Sequence, residues 1–143
     1  APADRIVAMP DTITGSIGVI AVVPDLSGLY EKLGIRYQVV KSGEYKDMLS
    51  SDRPMTEEER AILERLIQEA YDAFVQVVAE GRKLPEDRVR ELADGRIYTG
   101  RQALEVGLVD QLGGYRDAVA TAGELAGLGP EPTVRVYSAP PSF

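Results

Sequence analysis

Apolar positions in this chain follow two patterns. Near the N-terminus they come as short runs broken by turn residues: Arg5 to Met9 before Pro10-Asp11, Ser16 to Val23 before Pro24-Asp25, and Arg36 to Val40. The run from Ile17 to Val23 lacks alternation, the pattern of a strand covered on both faces, so strands are predicted over all three segments. Pro24-Asp25 begins a short helix predicted to about Leu33, ended by Gly34.

From Thr56 the period becomes helical. Leu63, Leu66, Ile67, Ala70, Phe74, Val77 and Val78 recur at helical spacing, Thr56 and Glu59 form a capping box, acids crowd the first turn, and Gly81 marks the end. A long helix is predicted over Thr56 to Glu80, and a shorter one after Pro85, ending near Ala93-Asp94-Gly95. The stretch YTGRQALEVGLVDQLGGYRDAVATAGELAG then predicts a helix at 100–106, a brief strand at Leu108-Val109 and a helix at 115–126. A strand over Thr133 to Tyr137 and a proline-containing tail close the chain. Strands alternating with helices argue for a single α/β domain over residues 1–143 with a largely parallel sheet.

Composition narrows the chemistry. A chain of 143 residues can bury roughly two-thirds of its unfolded surface, enough for one real core. The net charge of −7, without a basic block, argues against a nucleic-acid or anionic-lipid surface. No apolar run approaches the ~20 residues of a membrane helix. The chain opens at Ala1 and reaches strand-like sequence by Arg5, which points to a fragment or processed product. The absence of cysteine and histidine excludes thiol catalysis, Ser-His-Asp and Cys-His hydrolysis within this stretch, and leaves Lys, Asp, Glu or Tyr as a general base. Neither a metal nor a cofactor is suggested.

Two short segments carry candidate chemistry. TGSIG, residues 14–18, lacks the spacing of a phosphate loop and reads as a tight turn feeding a strand, with hydroxyls at Thr14 and Ser16. KSGEYKDMLS, residues 41–50, places Lys46 after a glycine turn. A free lysine, with a pKa of ~10.4, is neutral in about four molecules in ten thousand at pH 7. A lysine base therefore needs ~4 kcal/mol of selective destabilisation of its ammonium, which an apolar pocket supplies. Tyr45, Met48 and Leu49 are compatible with such a pocket, whereas Glu44 and Asp47 oppose it if they lie close. Spacing alone leaves the choice between surface charge and base open. Lys41, Arg53 and Arg96 read as surface or ion-pair residues, and Asp110 as a residue that orders its turn.

ADRIVAMPDTITGSIGVI, KSGEYKDMLS, RPMTEEER and DGRIYTGRQALEVGLVDQLGGYRDAV resemble, in order and spacing, the signal peptide peptidase A family of serine proteases, also called protease IV. The resemblance covers nearly the whole chain. It implies a ClpP/crotonase-like spiral of β-β-α units, here lacking its N-terminal part, and a Ser-Lys dyad without histidine. On this resemblance Lys46 is the general base and Ser16 orients its amine. The nucleophilic serine of relatives would fall before Ala1, so this chain corresponds to the C-terminal portion of a peptidase catalytic domain and is expected to be inactive alone.

The resemblance further implies peptide substrates such as cleaved signal peptides, a homo-oligomer, dependence on the upstream part of the same protein, and membrane association with an extracytoplasmic catalytic domain. A crotonase-like acyl-CoA enzyme is the alternative on the same fold, disfavoured because such sites typically use carboxylates. A non-catalytic oligomerising or self-processed fragment is the other.

Overall fold

A computed structural model describes residues 3–137. Its elements run β1 (Val7–Ala8), β2 (Ile13–Gly15), α1 (Ser27–Lys32), α2 (Glu57–Arg82), α3 (Glu86–Leu92), β3 (Ile97–Thr99), α4 (Gly100–Glu105), β4 (Gln111–Leu112) and α5 (Tyr115–Leu125). The mixture of helices and small sheets is consistent with the α/β class.

The helices form for the reasons their sequences suggest. At the start of α2 the Thr56 hydroxyl accepts from Glu59 N (3.2 Å) while Glu59 accepts from Thr56 N (2.9 Å), the reciprocal capping box. Lys83 then takes the left-handed conformation and closes the helix. The same box recurs at Thr99 and Gln102, starting α4. Gly100 is required there by close approach: a Cβ at this position would collide with the Met9 carbonyl.

The strands depart from expectation. Among the described residues there are two two-stranded sheets, β1 parallel to β4 and β2 antiparallel to β3. Of the strand predicted over 5–9, two residues pair. The segments 16–23, 36–40 and 133–137 are not strands. Apart from the buried Ile17, most of their apolar side chains stand in the open, Ile20 at 84%, Val40 at 99% and Val136 at 83% exposure. A strand needs a neighbour for its backbone N–H and C=O groups, and beyond Ser16 and Ile17, which bond to Arg96 and Gly95, these three segments form no ladder with another described segment. The strand predicted at Leu108-Val109 forms at 111–112 instead. Leu108 N and Val109 N both donate to the Ala103 carbonyl, and the two side chains are buried as the chain leaves α4. The proline-containing tail beyond Tyr137 lies outside the described residues.

The core lies where α2, α3 and α4 meet the two small sheets. It comprises Ala8, Ile17, Val75, Ala79, Val89, Leu92, Ala93, Tyr98, Ala103, Leu108 and Val109. The buried stripe of α2 is Val75 and Ala79, supported by Tyr71 and Val78. Leu66, Phe74 and Val77, expected to face the core, are exposed. The helix is roughly 39 Å long at 1.5 Å per residue, longer than the core it crosses.

Asp110 ties three elements together, in the ordering role its turn suggested. Its carboxylate accepts from Ile6 N (2.8 Å) ahead of β1 and from Arg82 at the end of α2 through Nη1 (2.9 Å) and Nη2 (2.7 Å). These bonds, the Arg82 pair first, hold its pKa down to about 2 against the opposing effect of burial. A carboxylate with a depressed folded pKa contributes its stability above its unfolded value, near 3.9. In the full-length protein we expect that contribution, at most about 2 kcal/mol after screening, to be lost as the pH falls from about 4 through 2. Asp110→Ala should abolish this part of the pH dependence in denaturant titrations while lowering stability at pH 7. An unaltered acid limb would show that the pair contributes nothing.

Candidate active site

Ser16 sits at the end of the β2–β3 ladder. Gly15 pairs with Ile97, Ser16 N donates to the Arg96 carbonyl (2.8 Å) and Gly95 N donates to the Ile17 carbonyl (3.0 Å), so the TGSIG turn is bound on both sides to the segment Gly95 to Ile97. The backbone is unusual at this point: Gly15 has φ +85° and Ser16 has φ +51°. Serine enters the left-handed region at some cost, and such residues cluster where function requires an imposed direction. The cleft beside Ser16, about 540 Å³, is bounded by Val19, Ile20, Tyr71 and Asp94. Asp94 is itself held by Arg96, in the ion pair its sequence suggested.

Lys46 lies on a run of successive turns. Lys46 N donates to Gly43 O (3.2 Å), Met48 N to Tyr45 O (3.2 Å) and Ser50 N to Asp47 O (2.9 Å). The Lys46 side chain is exposed and makes no hydrogen bond or ion pair among the described residues. The apolar enclosure that a deprotonated amine needs is not formed by its neighbours, since Tyr45 and Leu49 are also exposed and Met48 is half-buried. No hydrogen bond joins Lys46 to Ser16; each stands on its own support, the lysine on its turns and the serine on the β2–β3 ladder.

The acid next to Lys46 turns away from it. Asp47 accepts from Lys41 Nζ (2.7 Å) and from Arg53 through Nε (3.3 Å) and Nη2 (2.9 Å). Arg53 in turn donates to Glu59, through Nη1 at 2.8 Å and through Nη2. The Arg53 bonds, then Lys41, hold the Asp47 carboxyl well below the usual range, and the Arg53 and Thr56 bonds hold Glu59 down to about 2. Glu59 is 2% exposed, the buried acid at the start of α2. Lys41 and Arg53 are thus ion-pair residues, as expected. What the sequence did not disclose is that one guanidinium spans two carboxylates, each six residues away. The capping box was a partial signal, because it identified Glu59 as an ordered side chain.

Among the described residues no group of three or more His, Cys, Asp or Glu is placed to hold a metal ion, and no helix is long and apolar enough to cross a membrane.

The described residues thus form an α/β unit with an unpaired lysine on one loop and a serine in the left-handed region on another. The pattern of Peptidase family S49 matches residues 1–129, and the chain belongs to that family. It is 54% identical over 127 residues to a Synechocystis protein named as a protease, a match covering 89% of this chain and 46% of that protein. It is 50% identical over 119 residues to an Enterococcus faecium protein named as a signal peptide peptidase, covering 83% and 35%. It is 39% identical over 127 residues to the chloroplastic serine protease SPPA of Arabidopsis thaliana, covering 88% and 19%. The chain therefore spans less than half the length of these relatives.

The direction of Ser16 depends on Gly15. A Cβ there would come within 2.6 Å of the Tyr98 ring and 2.8 Å of the Arg96 carbonyl, on a backbone that side chains rarely adopt. Gly15→Ala should destabilise by at least about 1–2 kcal/mol from the left-handed backbone alone. Gly28→Ala, in open space on α1, should be neutral or slightly stabilising. Thermal melts of the two variants would compare them; equal melting temperatures would mean the turn yields without cost.

Proposed function

We propose that this chain is part of a serine endopeptidase whose general base is Lys46 and whose Ser16 hydroxyl orients the lysine amine, with the nucleophilic serine carried elsewhere in a longer protein. The family shared with proteases supports peptide hydrolysis. The observation that bears most on the base is the state of Lys46: it is an unpaired amine whose neighbouring acid is already held by two cations. An ammonium paired with a carboxylate is held in its protonated form, so a lysine base must be kept from such a partner.

In the proposed reaction the serine oxygen attacks the peptide carbonyl carbon as its proton passes to Lys46 Nζ. The C–N bond then breaks, and the leaving amine takes that proton. Water, giving a proton to Lys46 in its turn, hydrolyses the acyl-serine and regenerates the enzyme. The exposed surroundings of Lys46 would become an apolar pocket when the remainder of the protein covers them. The ClpP/crotonase-like spiral belongs to the same reading, with the open segments 16–23 and 36–40 as its unpaired strands. So do substrates such as signal peptides, by likeness to the relative named as a signal peptide peptidase, and, on the resemblance seen in the sequence, a homo-oligomer that uses the open face of α2 and a membrane-associated, extracytoplasmic setting.

Tests in the full-length protein follow from the proton transfer. Lys46→Ala should lower peptide hydrolysis by at least ~10²–10⁴-fold, the usual contribution of a positioned base. Lys46→Arg should fail as well, because guanidinium stays charged at working pH. Ser16→Ala should cost roughly threefold to tenfold, the kinetic equivalent of one neutral hydrogen bond. A serine-directed covalent inhibitor should label a residue outside this stretch. Labelling at Ser16 would make it the nucleophile, and near-normal activity of a folded Lys46→Arg variant would remove lysine from the base role.

A further inference from the structure

The turns that carry Lys46 have little packing to hold them. Tyr45 and Leu49 are exposed, and no strand or helix includes residues 41–52. What holds them is polar and converges on Asp47. Lys41 reaches forward to the Asp47 carboxylate and to the Glu44 carbonyl (2.8 Å), closing the loop ahead of Lys46. Arg53 reaches back to the same carboxylate and, through Nη2, to the Asp47 carbonyl (3.5 Å), closing it behind. The far edge of the guanidinium meets Glu59, which is fixed by the capping box of α2, and Nη1 also meets the Pro54 carbonyl (3.1 Å).

Resting on the reading of Lys46 as the base, we infer that Arg53 is a positioning residue for it. By bridging Asp47 to Glu59, Arg53 fastens the backbone one residue from Lys46 to the first turn of the longest helix and so sets where the amine stands. The chemistry selects arginine. A planar fork can present parallel N–H groups to two carboxylates at once, whereas an ammonium is a point charge on a flexible stem and cannot span both in fixed geometry. Charge balance adds to this: Asp47 and Glu59 are met by Arg53 and Lys41, so the cluster holds its shape without leaving the Asp47 carboxylate free to pair with Lys46. Burial of Glu59 fixes one end of the bridge, because an acid at 2% exposure has no alternative partner in solvent. The sequence order Asp47, Arg53, Glu59 thus joins a loop to a helix.

The test uses the full-length protein and separates turnover from binding. A base misplaced by about 1 Å loses on the order of 10²-fold in rate. Arg53→Met is expected to lower kcat 10- to 100-fold with KM within about threefold, and Arg53→Lys to recover part of the loss at most. Asp47→Asn removes the other side of the bridge while leaving Arg53, Glu59 and the helix cap in place. It should lower kcat in the same way, and the Arg53→Met, Asp47→Asn double variant should be no slower than the slower single one, because both act through one contact. Arg82→Met, which breaks the ion pair at the opposite end of α2, should lower the melting temperature and leave kcat unchanged. If Arg53→Met does not fold, Asp47→Asn carries the measurement alone. Unchanged kcat in folded Arg53→Met or Asp47→Asn, or losses that multiply in the double variant, would overturn the positioning role while an inactive Lys46→Ala kept the base. An active Lys46→Ala would remove the base and the positioning role together.

Discussion

Helix α2 is tethered at both ends by an arginine that meets a sheltered carboxylate, and the placement of the lysine turns and of β1 follows from those tethers. At its start Arg53 joins Glu59 to Asp47; at its end Arg82 joins Asp110 and, through it, the backbone of Ile6. A sheltered carboxylate is tolerated where its charge and lone pairs are met, and losing one partner costs far more than the intact pair contributes. Such pairs therefore specify geometry more than they add stability. Here they decide which segments lie beside the helix: the lysine turns at one end, β1 and the approach to β4 at the other.

Ser16 is supported differently. Its direction comes from backbone pairing with Gly95 to Ile97 and from a left-handed conformation that Gly15 makes possible without a clash against Tyr98. Tyr98 is anchored by its hydroxyl on the Leu92 carbonyl (3.1 Å), so the α3–β3 corner backs the serine turn. The two candidate residues thus stand on independent supports, one made of charge pairs and one of backbone strain. Membership of Peptidase family S49 gives that arrangement its chemical context.

Much of the helical structure was legible because its signals are local. The capping pair Thr56/Glu59, the Gly34 stop after α1 and the helical recurrence of apolar residues each lie within a few positions of what they determine, whereas Gly81, expected to end α2, lies within it and Lys83 closes the helix. Strands were legible as apolar runs but not as strands, since pairing is a relation between distant segments. Ile17 is buried and Ile20 open within the same unbroken run. The burial stripe of α2 moved for the same reason: Val75 and Ala79 are selected by where α3 and the sheets meet the helix, and periodicity could not distinguish them from Phe74 and Val77.

The sequence by itself determined the absence of histidine and cysteine chemistry, the long capped helix, and the glycine–serine and lysine-bearing turns. These are properties of residue type and near neighbours. Only the tertiary structure decided that Asp47 is turned from Lys46 toward Arg53, that Asp110 gathers Ile6 and Arg82 from opposite parts of the chain, and that Ser16 is braced by the strand ahead of α4. A carboxylate takes whichever cation the fold brings within about 3 Å. Residues 6, 82 and 110 meet only once the chain between them has folded.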